Sequence, residues 1–292
     1  MSETKTAGEI YETVSEDGKI HLSRASLGLA FSGLSAGLNI SFGALAMFSV
    51  AAITGEVSLA AIAVYPLGFL MVVLGRAQLF TETTVTPVAV VLSEWGPRRL
   101  ANMLRLWAMV LVFNLVGALI SAAAISYTGV LNTRAFAFLL EEVAQKMEHD
   151  FLGTTLYAVY GGWVVALMAW LVAASTDTIG KAFVIWATVI IIPAGSLPHS
   201  IAGSAEVMIG VLAGEVLWRD YMVGFLVPAV LGNTIGGVFF VSLLNYAQII
   251  GSNKRTRLSG LTSNDENEES PKDSPPCKHR KETFEHDERK SA

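Results

Sequence analysis

Six apolar stretches, each long enough for a helix to cross the hydrocarbon layer of a bilayer, mark the chain between residues 27 and 250. They run from about Leu27 to Ile53, Ala60 to Trp95, Leu106 to Tyr127, Thr154 to Ala174, Ala182 to Gly214 and Tyr221 to Ile250. The second and fifth are longer than one plain helix needs. Polar and turn-forming residues interrupt each near its middle, at Arg76-Ala77-Gln78-Leu79-Phe80-Thr81-Glu82 and at Pro193-Ala194-Gly195-Ser196-Leu197-Pro198-His199-Ser200. Irregular backbone at membrane depth leaves peptide groups unpaired, so it persists only where protein or a water-filled cavity satisfies them. The pattern predicts an all-α integral membrane fold of six transmembrane helices, with the second and fifth broken.

Charge placement sharpens this picture. Of 20 basic and 25 acidic residues, 8 lie in residues 1–25 and 18 in residues 251–292, leaving 19 for the 225 residues between. So few charges cannot cover a water-exposed surface, whereas a bilayer requires none. Three segments follow: a polar N-terminal segment over 1–25, a six-helix membrane domain over 26–250 and a tail over 251–292. That tail nearly lacks apolar residues and is expected to be disordered. Its 9 basic and 9 acidic residues argue against a simple polybasic lipid anchor. The first 25 residues lack the short basic start of a cleavable signal peptide, so the first apolar run is expected to remain as a span. With both termini cytoplasmic, nine basic residues near span ends fall inside and three outside, which favours that orientation.

Several chemistries drop out. The single cysteine, Cys277, excludes an intrachain disulfide and a thiolate metal site. A net charge of −5 and the lack of a basic stripe argue against nucleic acid as a partner. One intramembrane histidine without a nearby cysteine, carboxylate pair or ligand cluster gives no catalytic set, so no enzyme and no cofactor is expected.

The chain also carries an internal repeat. A shift of 119 residues places Asn114-Leu115-Val116-Gly117-Ala118 on Asn233-Thr234-Ile235-Gly236-Gly237, and a shift of 118 places Leu79-Phe80-Thr81 on Leu197-Pro198-His199. Three spans per copy force the copies into opposite topologies, an inverted repeat whose broken helices meet near the midplane and form a solute path.

Within the interruptions, His199 is the one histidine inside a predicted span, and it is either a hydrogen-bonded core group or a group that lends a proton or hydrogen bond to a weak-acid solute. Thr81, its partner under the shift of 118, supplies a hydroxyl at matching depth. Leu79, Phe80, Ile192 and Leu197 are expected as apolar walls that strip water and oppose bare ions. Arg76 and Glu82 are close enough in sequence to neutralise one another, and Glu206 is a third costly ionisable group. Asn114 and Asn233 are expected to fasten the ends of the broken helices.

With these residues in hand, the sequence over about residues 20–250 resembles the formate/nitrite transporter family. The resemblance rests on Leu79-Phe80-Thr81, Asn114-Leu115-Val116-Gly117-Ala118, Lys146-Met147-Glu148-His149-Asp150-Phe151, Lys181-Ala182-Phe183, His199-Ser200-Ile201-Ala202 and Gly232-Asn233-Thr234-Ile235-Gly236-Gly237, in that order. The spelling Gly75-Arg76-Ala77-Gln78-Leu79-Phe80-Thr81-Glu82 is most similar to the YfdC-like branch. The resemblance implies an inverted three-helix repeat, a homopentamer in the inner membrane with one pore per protomer, and passage of a small monovalent weak-acid anion, often with a proton. It places Thr81 and His199 at the centre of the pore and gives Lys146 the role of attracting anions. Phe69 and Ile192 are placed at one constriction, Leu79 and Phe80 at the other.

Three positions depart from the family pattern: Gln78 where an acidic residue is usual, Pro198 where Glu precedes the histidine, and Gly162 where Asn is usual. Two carboxylates and an amide are thereby lost from the hydrogen bonds expected around the breaks. The rival readings are a channel for ammonium or another small neutral or cationic solute, and a non-conducting membrane scaffold or sensor acting through its tail.

Overall fold

Helices and turns make up residues 4–251, the part of the chain that the computed structural model describes, with no strand among the described residues. The tail expected over 251–292, with Cys277, lies outside them apart from Gly251, which is still helical.

The N-terminal segment is more ordered than its polarity suggests. Thr6 caps α1 (Ala7–Ser23): its side chain accepts from the Glu9 N–H while the Glu9 carboxylate accepts from the Thr6 N–H. This reciprocal cap satisfies two amide donors that a helix start otherwise leaves free. The helix buries Val14 and Leu22, and the Tyr11 hydroxyl donates to the Ala89 carbonyl at 2.7 Å.

The first span is α2 (Ser26–Thr54), closed by Gly55 at φ 90°. The second stretch divides into α3 (Leu59–Val64), α4 (Leu67–Leu74), a 3-10 turn (Glu82–Thr84) and α5 (Thr86–Ser93). The third span is α6 (Pro97–Thr128). A capped amphipathic helix, α7 (Thr133–Lys146), leads to the fourth span, α8 (Phe151–Ala174). The fifth stretch divides like the second, into α9 (Thr178–Val189), α10 (Ile191–Ala194) and α11 (Ala202–Leu212). The last span opens with α12 (Trp218–Asp220) and includes α13 (Val227–Ile235), with π-helical turns at Tyr221–Leu226 and Gly236–Leu243. Among the described residues four helices are thus long and apolar enough to cross a membrane, and the shorter apolar ones pair into the two broken spans.

The two copies pack alike. Helix α2 lies along α6, and α8 along α13. In each pair a glycine permits backbone contact of the kind that small residues allow between membrane helices. A Cβ on Gly37 would sit 2.1 Å from the Asn114 carbonyl oxygen, and one on Gly162 would sit 2.2 Å from that of Asn233. Gly162 therefore marks a helix contact with no room for a side chain.

Candidate functional site

Both breaks fold by the same rule. Helix α4 ends at Gly75, Arg76 turns into the left-handed region at φ 54°, and the Ala77 N–H reaches back to the Val72 carbonyl at 3.0 Å. Helix α10 ends at Gly195, Ser196 turns at φ 47°, and the Leu197 N–H reaches the Ile192 carbonyl at 2.9 Å. An asparagine then clamps each loop. The Asn114 Oδ1 accepts from the Phe80 N–H at 2.9 Å while its Nδ2 donates to the carbonyls of Gly33 and Gln78 at 2.8 and 2.9 Å. The Asn233 Oδ1 accepts from the Ser200 N–H at 2.8 Å while its Nδ2 donates to the carbonyls of Ala158 and Pro198 at 2.7 and 3.0 Å. These amides supply the partners that non-helical backbone must find inside a membrane.

The matched hydrogen bonds correct the repeat register. Ala77 corresponds to Leu197, Gln78 to Pro198 and Phe80 to Ser200, each pair 120 residues apart. His199 is therefore the counterpart of Leu79, and Thr81 that of Ile201. Side-chain likeness suggested a shift of 118, but the backbone sets the equivalence. The two polar residues nevertheless meet: Thr81 Oγ1 lies 2.8 Å from His199 Nε2, and both are buried.

The imidazole is held from its other side. The N–H groups of Ile201 and Ala202, at the start of α11, point at His199 Nδ1 at 3.2 and 3.1 Å. Two donors aimed at one nitrogen require its lone pair, so the bonding assigns the neutral tautomer with the proton on Nε2. That N–H points to Thr81. The Phe69 ring meets the imidazole edge to face with centroids 5.2 Å apart.

Lys146, at the end of α7, is drawn into the same region. Its Nζ pairs with Glu142 one turn earlier and lies 2.9 Å from Glu206 Oε2 on α11. The side chains of Lys146 and Glu206 are 10% and 2% exposed, so this is a buried cluster rather than a solvated loop charge. Tyr65 presents its hydroxyl to the Glu206 carboxylate. Tyr65, Lys146, Ile192, Ser196, His199 and Glu206 line one narrow cavity.

A wider cavity of about 260 Å³ opens on the face covered by α1, lined by Asp17, His21, Arg24, Arg76, Gln78 and Glu82 among others. Gln78 reaches α1: its Nε2 lies 3.1 Å from His21 Nε2, and His21 Nδ1 lies 3.1 Å from Thr86 Oγ1. Burial of the imidazole lowers the His21 pKa to about 4. Arg76 and Glu82 share this cavity but form no ion pair with each other among the described residues. The expected pairing fails because the left-handed turn ends one half-helix at Arg76 while Glu82 starts the next, leaving Arg76 exposed. Leu79 and Phe80 are fully packed, Phe80 with its ring edge to face against Trp107.

Thr81, His199, Phe69, Ile192 and Lys146 thus converge, while Gln78, Arg76 and Glu82 face the second cavity. Sequence reasoning missed the pairing of Lys146 with Glu142 and Glu206 and the contact of His21 with Gln78. The four-residue spacing of Glu142 and Lys146 on one helix was an available signal; the other contacts span too much sequence to leave one.

The sequence pattern described as "Formate/nitrite transporter" matches residues 8–247. The chain belongs to the formate/nitrite transporter family. It is 33% identical over 255 residues to "Inner membrane protein YfdC" of Escherichia coli (strain K12), covering 84% of this chain and 80% of that protein. Two solved structures share the fold. One, described as "FNT family ion channel", has a TM-score of 0.73 at 19% identity, covering 83% of this chain and 99% of that one. The other, "Pentameric formate channel with formate bound", has a TM-score of 0.63 at 18% identity, covering 77% and 98%. Membership makes this an integral membrane channel or transporter for small anions of the formate/nitrite type.

Proposed function

We propose that the protein passes a small monovalent weak acid of the formate type, together with a proton, through a pore in each protomer of a homopentamer. The observation that carries this reading is the Thr81–His199 bond, formed where the two broken helices meet and flanked by a cavity on either side. At that point the Nε2–H of His199 and the hydroxyl of Thr81 are the polar groups able to exchange their mutual bond for one to a carboxyl group. Phe69 and Ile192 on one side, and Leu79 and Phe80 on the other, strip the solute of water, which a bare anion resists more than a neutral acid. The wide cavity under α1 faces the cytoplasm and the Lys146 cluster faces outward, with both termini inside. In this reading residues 26–250 form the conducting domain, and residues 251–292 are a tail not required for flux.

Reconstituted protein tests this directly. Thr81→Val keeps the shape and removes the hydroxyl, and His199→Ala removes the donor; each is expected to lower formate uptake into liposomes by about tenfold or more. Thr128→Ala, at an exposed helix end, is expected to leave uptake unchanged. Equal uptake in all three variants and the parent would end the assignment of the pore to this pair.

A further inference from the structure

Arg76 and Glu82 flank the loop of the first break, and neither is neutralised. Each lines the cavity beneath α1, and neither makes a hydrogen bond or an ion pair among the described residues. An ionisable group at membrane depth is costly, and its usual place is on the path of a solute or a proton. Arg76 also occupies a left-handed turn, at φ 54°, that glycine would take more easily. The other charged groups of the cavity are engaged or come from other elements. Lys5 Nζ donates to the Ala173 carbonyl at 2.7 Å and to the Thr13 hydroxyl at 3.2 Å, and Arg24 reaches the Ser32 hydroxyl. Both ring nitrogens of His21 are taken, by Gln78 and Thr86. Asp17 comes from α1 and Lys181 from the first turn of α9. Arg76 and Glu82 are thus the free cation and the free carboxylate on the break itself, and Glu82 is next in the chain to Thr81 of the central pair.

We propose that Glu82 is the proton-exchanging group on the cytoplasmic side of the pore, and that Arg76 holds the carboxylate of the solute while the exchange takes place. This rests on the weak-acid reading above and names the residues at which the acid is made and unmade. For a solute leaving the cell, the O–H bond of protonated Glu82 breaks and an O–H bond forms on formate. The neutral acid moves on to Thr81 and His199, and the Glu82 carboxylate regains a proton from cytoplasmic buffer. Entry runs the same step backwards. Two carboxyl groups of similar acidity exchange a proton without a large uphill step, and the guanidinium offers the anion a charge-assisted pair meanwhile. The need for such a group follows from supply: at neutral pH, protons at about 10⁻⁷ M with an association constant of about 10⁹–10¹⁰ M⁻¹s⁻¹ reach one site only about 10²–10³ times per second. Buffer molecules are far more abundant, and a carboxylate on the cavity wall passes their protons inward.

The test is exchange of labelled formate by the full chain in liposomes, at equal pH and formate on both sides and in a bulky buffer, so that the orientation of the protein in the bilayer does not matter. Glu82→Gln should lower the maximal exchange rate by about tenfold at about pH 7 and leave it near that of the parent at about pH 5, where bulk protons are about a hundredfold more abundant. Imidazole, small enough to enter a cavity of about 260 Å³, should restore the variant at neutral pH and leave the parent unchanged. Arg76→Gly, which suits the left-handed turn, should raise the half-saturating formate concentration by about tenfold, keep the maximal rate and show no response to imidazole. Glu82→Gln that matches the parent at both pH values overturns the proposal, as does a loss equal at both and untouched by imidazole, which is the mark of a structural role. Should Glu82→Gln fail to assemble, Arg76→Gly decides: half-saturation equal to that of the parent overturns the proposal. Parent protein that exchanges no formate brings down the weak-acid reading itself, a separate outcome.

Discussion

Replacing Asn233 with Ala removes three hydrogen bonds at once, to the Ser200 N–H and to the carbonyls of Ala158 and Pro198. Two limits bracket the cost. Interhelical side-chain bonds in membrane proteins average about 0.6 kcal/mol, because the unfolded chain in lipid also finds partners; three of them give about 2 kcal/mol. The Ser200 N–H and Pro198 carbonyl, however, belong to a broken helix and are left as buried orphans, at about 1–3 kcal/mol each, or about 2–6 kcal/mol together. Both limits place the loss at about 2 kcal/mol or more. Asn114→Ala should cost a similar amount, since it frees the Phe80 N–H and the carbonyls of Gly33 and Gln78 in the matching break. Reversible unfolding of the reconstituted protein measures both. A loss under about 1 kcal/mol in both variants would refute the idea that these amides hold the breaks. A large loss in one alone would refute their equivalence.

Two other expectations follow from packing and charge. A Cβ on Gly162 would have to retreat from 2.2 Å to the 3.4 Å of ordinary contact with the Asn233 oxygen, so Gly162→Ala should force α8 and α13 apart. The expected cost is about 1–3 kcal/mol in the same unfolding assay, whereas Gly96→Ala, with open space around it, should show none. His21 has a folded-state pKa of about 4, below its ordinary value of 6.5, because burial opposes its charge. The unfolded chain therefore binds the extra proton first, and the docking of α1 is fully stable above the ordinary value and weakens as pH falls through that window toward 4. Hydrogen-exchange protection of residues 7–23, taken relative to the intrinsic amide rate at each pH, should fall on acidification in the parent and change less in His21→Gln; protection unchanged across the window would contradict the burial argument.

The breaks were legible because polar and turn-forming residues stood out against long apolar text, and Asn114 and Asn233 because amides are rare there. The register was not. Thr81 and His199 look alike in polarity, so aligning them was natural, but their common feature is a bond across the repeat, and backbone equivalence pairs His199 with Leu79. The second copy is one residue shorter between break and clamp, from Ser200 to Asn233 against Phe80 to Asn114, which blurred the shift. Helix α1 was hidden by its charges, although Thr6 and Glu9 form a readable cap and Val14 and Leu22 lie eight residues apart on one face. The significance of Lys146 could not be read from its neighbours in sequence, because Glu206 arrives from another span.

The clamps carry a consequence for how the protein is made. Asn114 secures residues 78 and 80 and reaches Gly33, all within the first three spans; Asn233 does the same for residues 198 and 200 and for Ala158 in the last three. Neither half-helix pair can satisfy its loop alone, so during synthesis each break stays uncapped until the third span of its own copy has left the ribosome. From then on, that copy is self-sufficient in lipid. The Thr81–His199 contact is different, since its members come from opposite copies. Insertion can therefore finish each half separately, and the Thr81–His199 contact is a mark that the two halves have closed on one another.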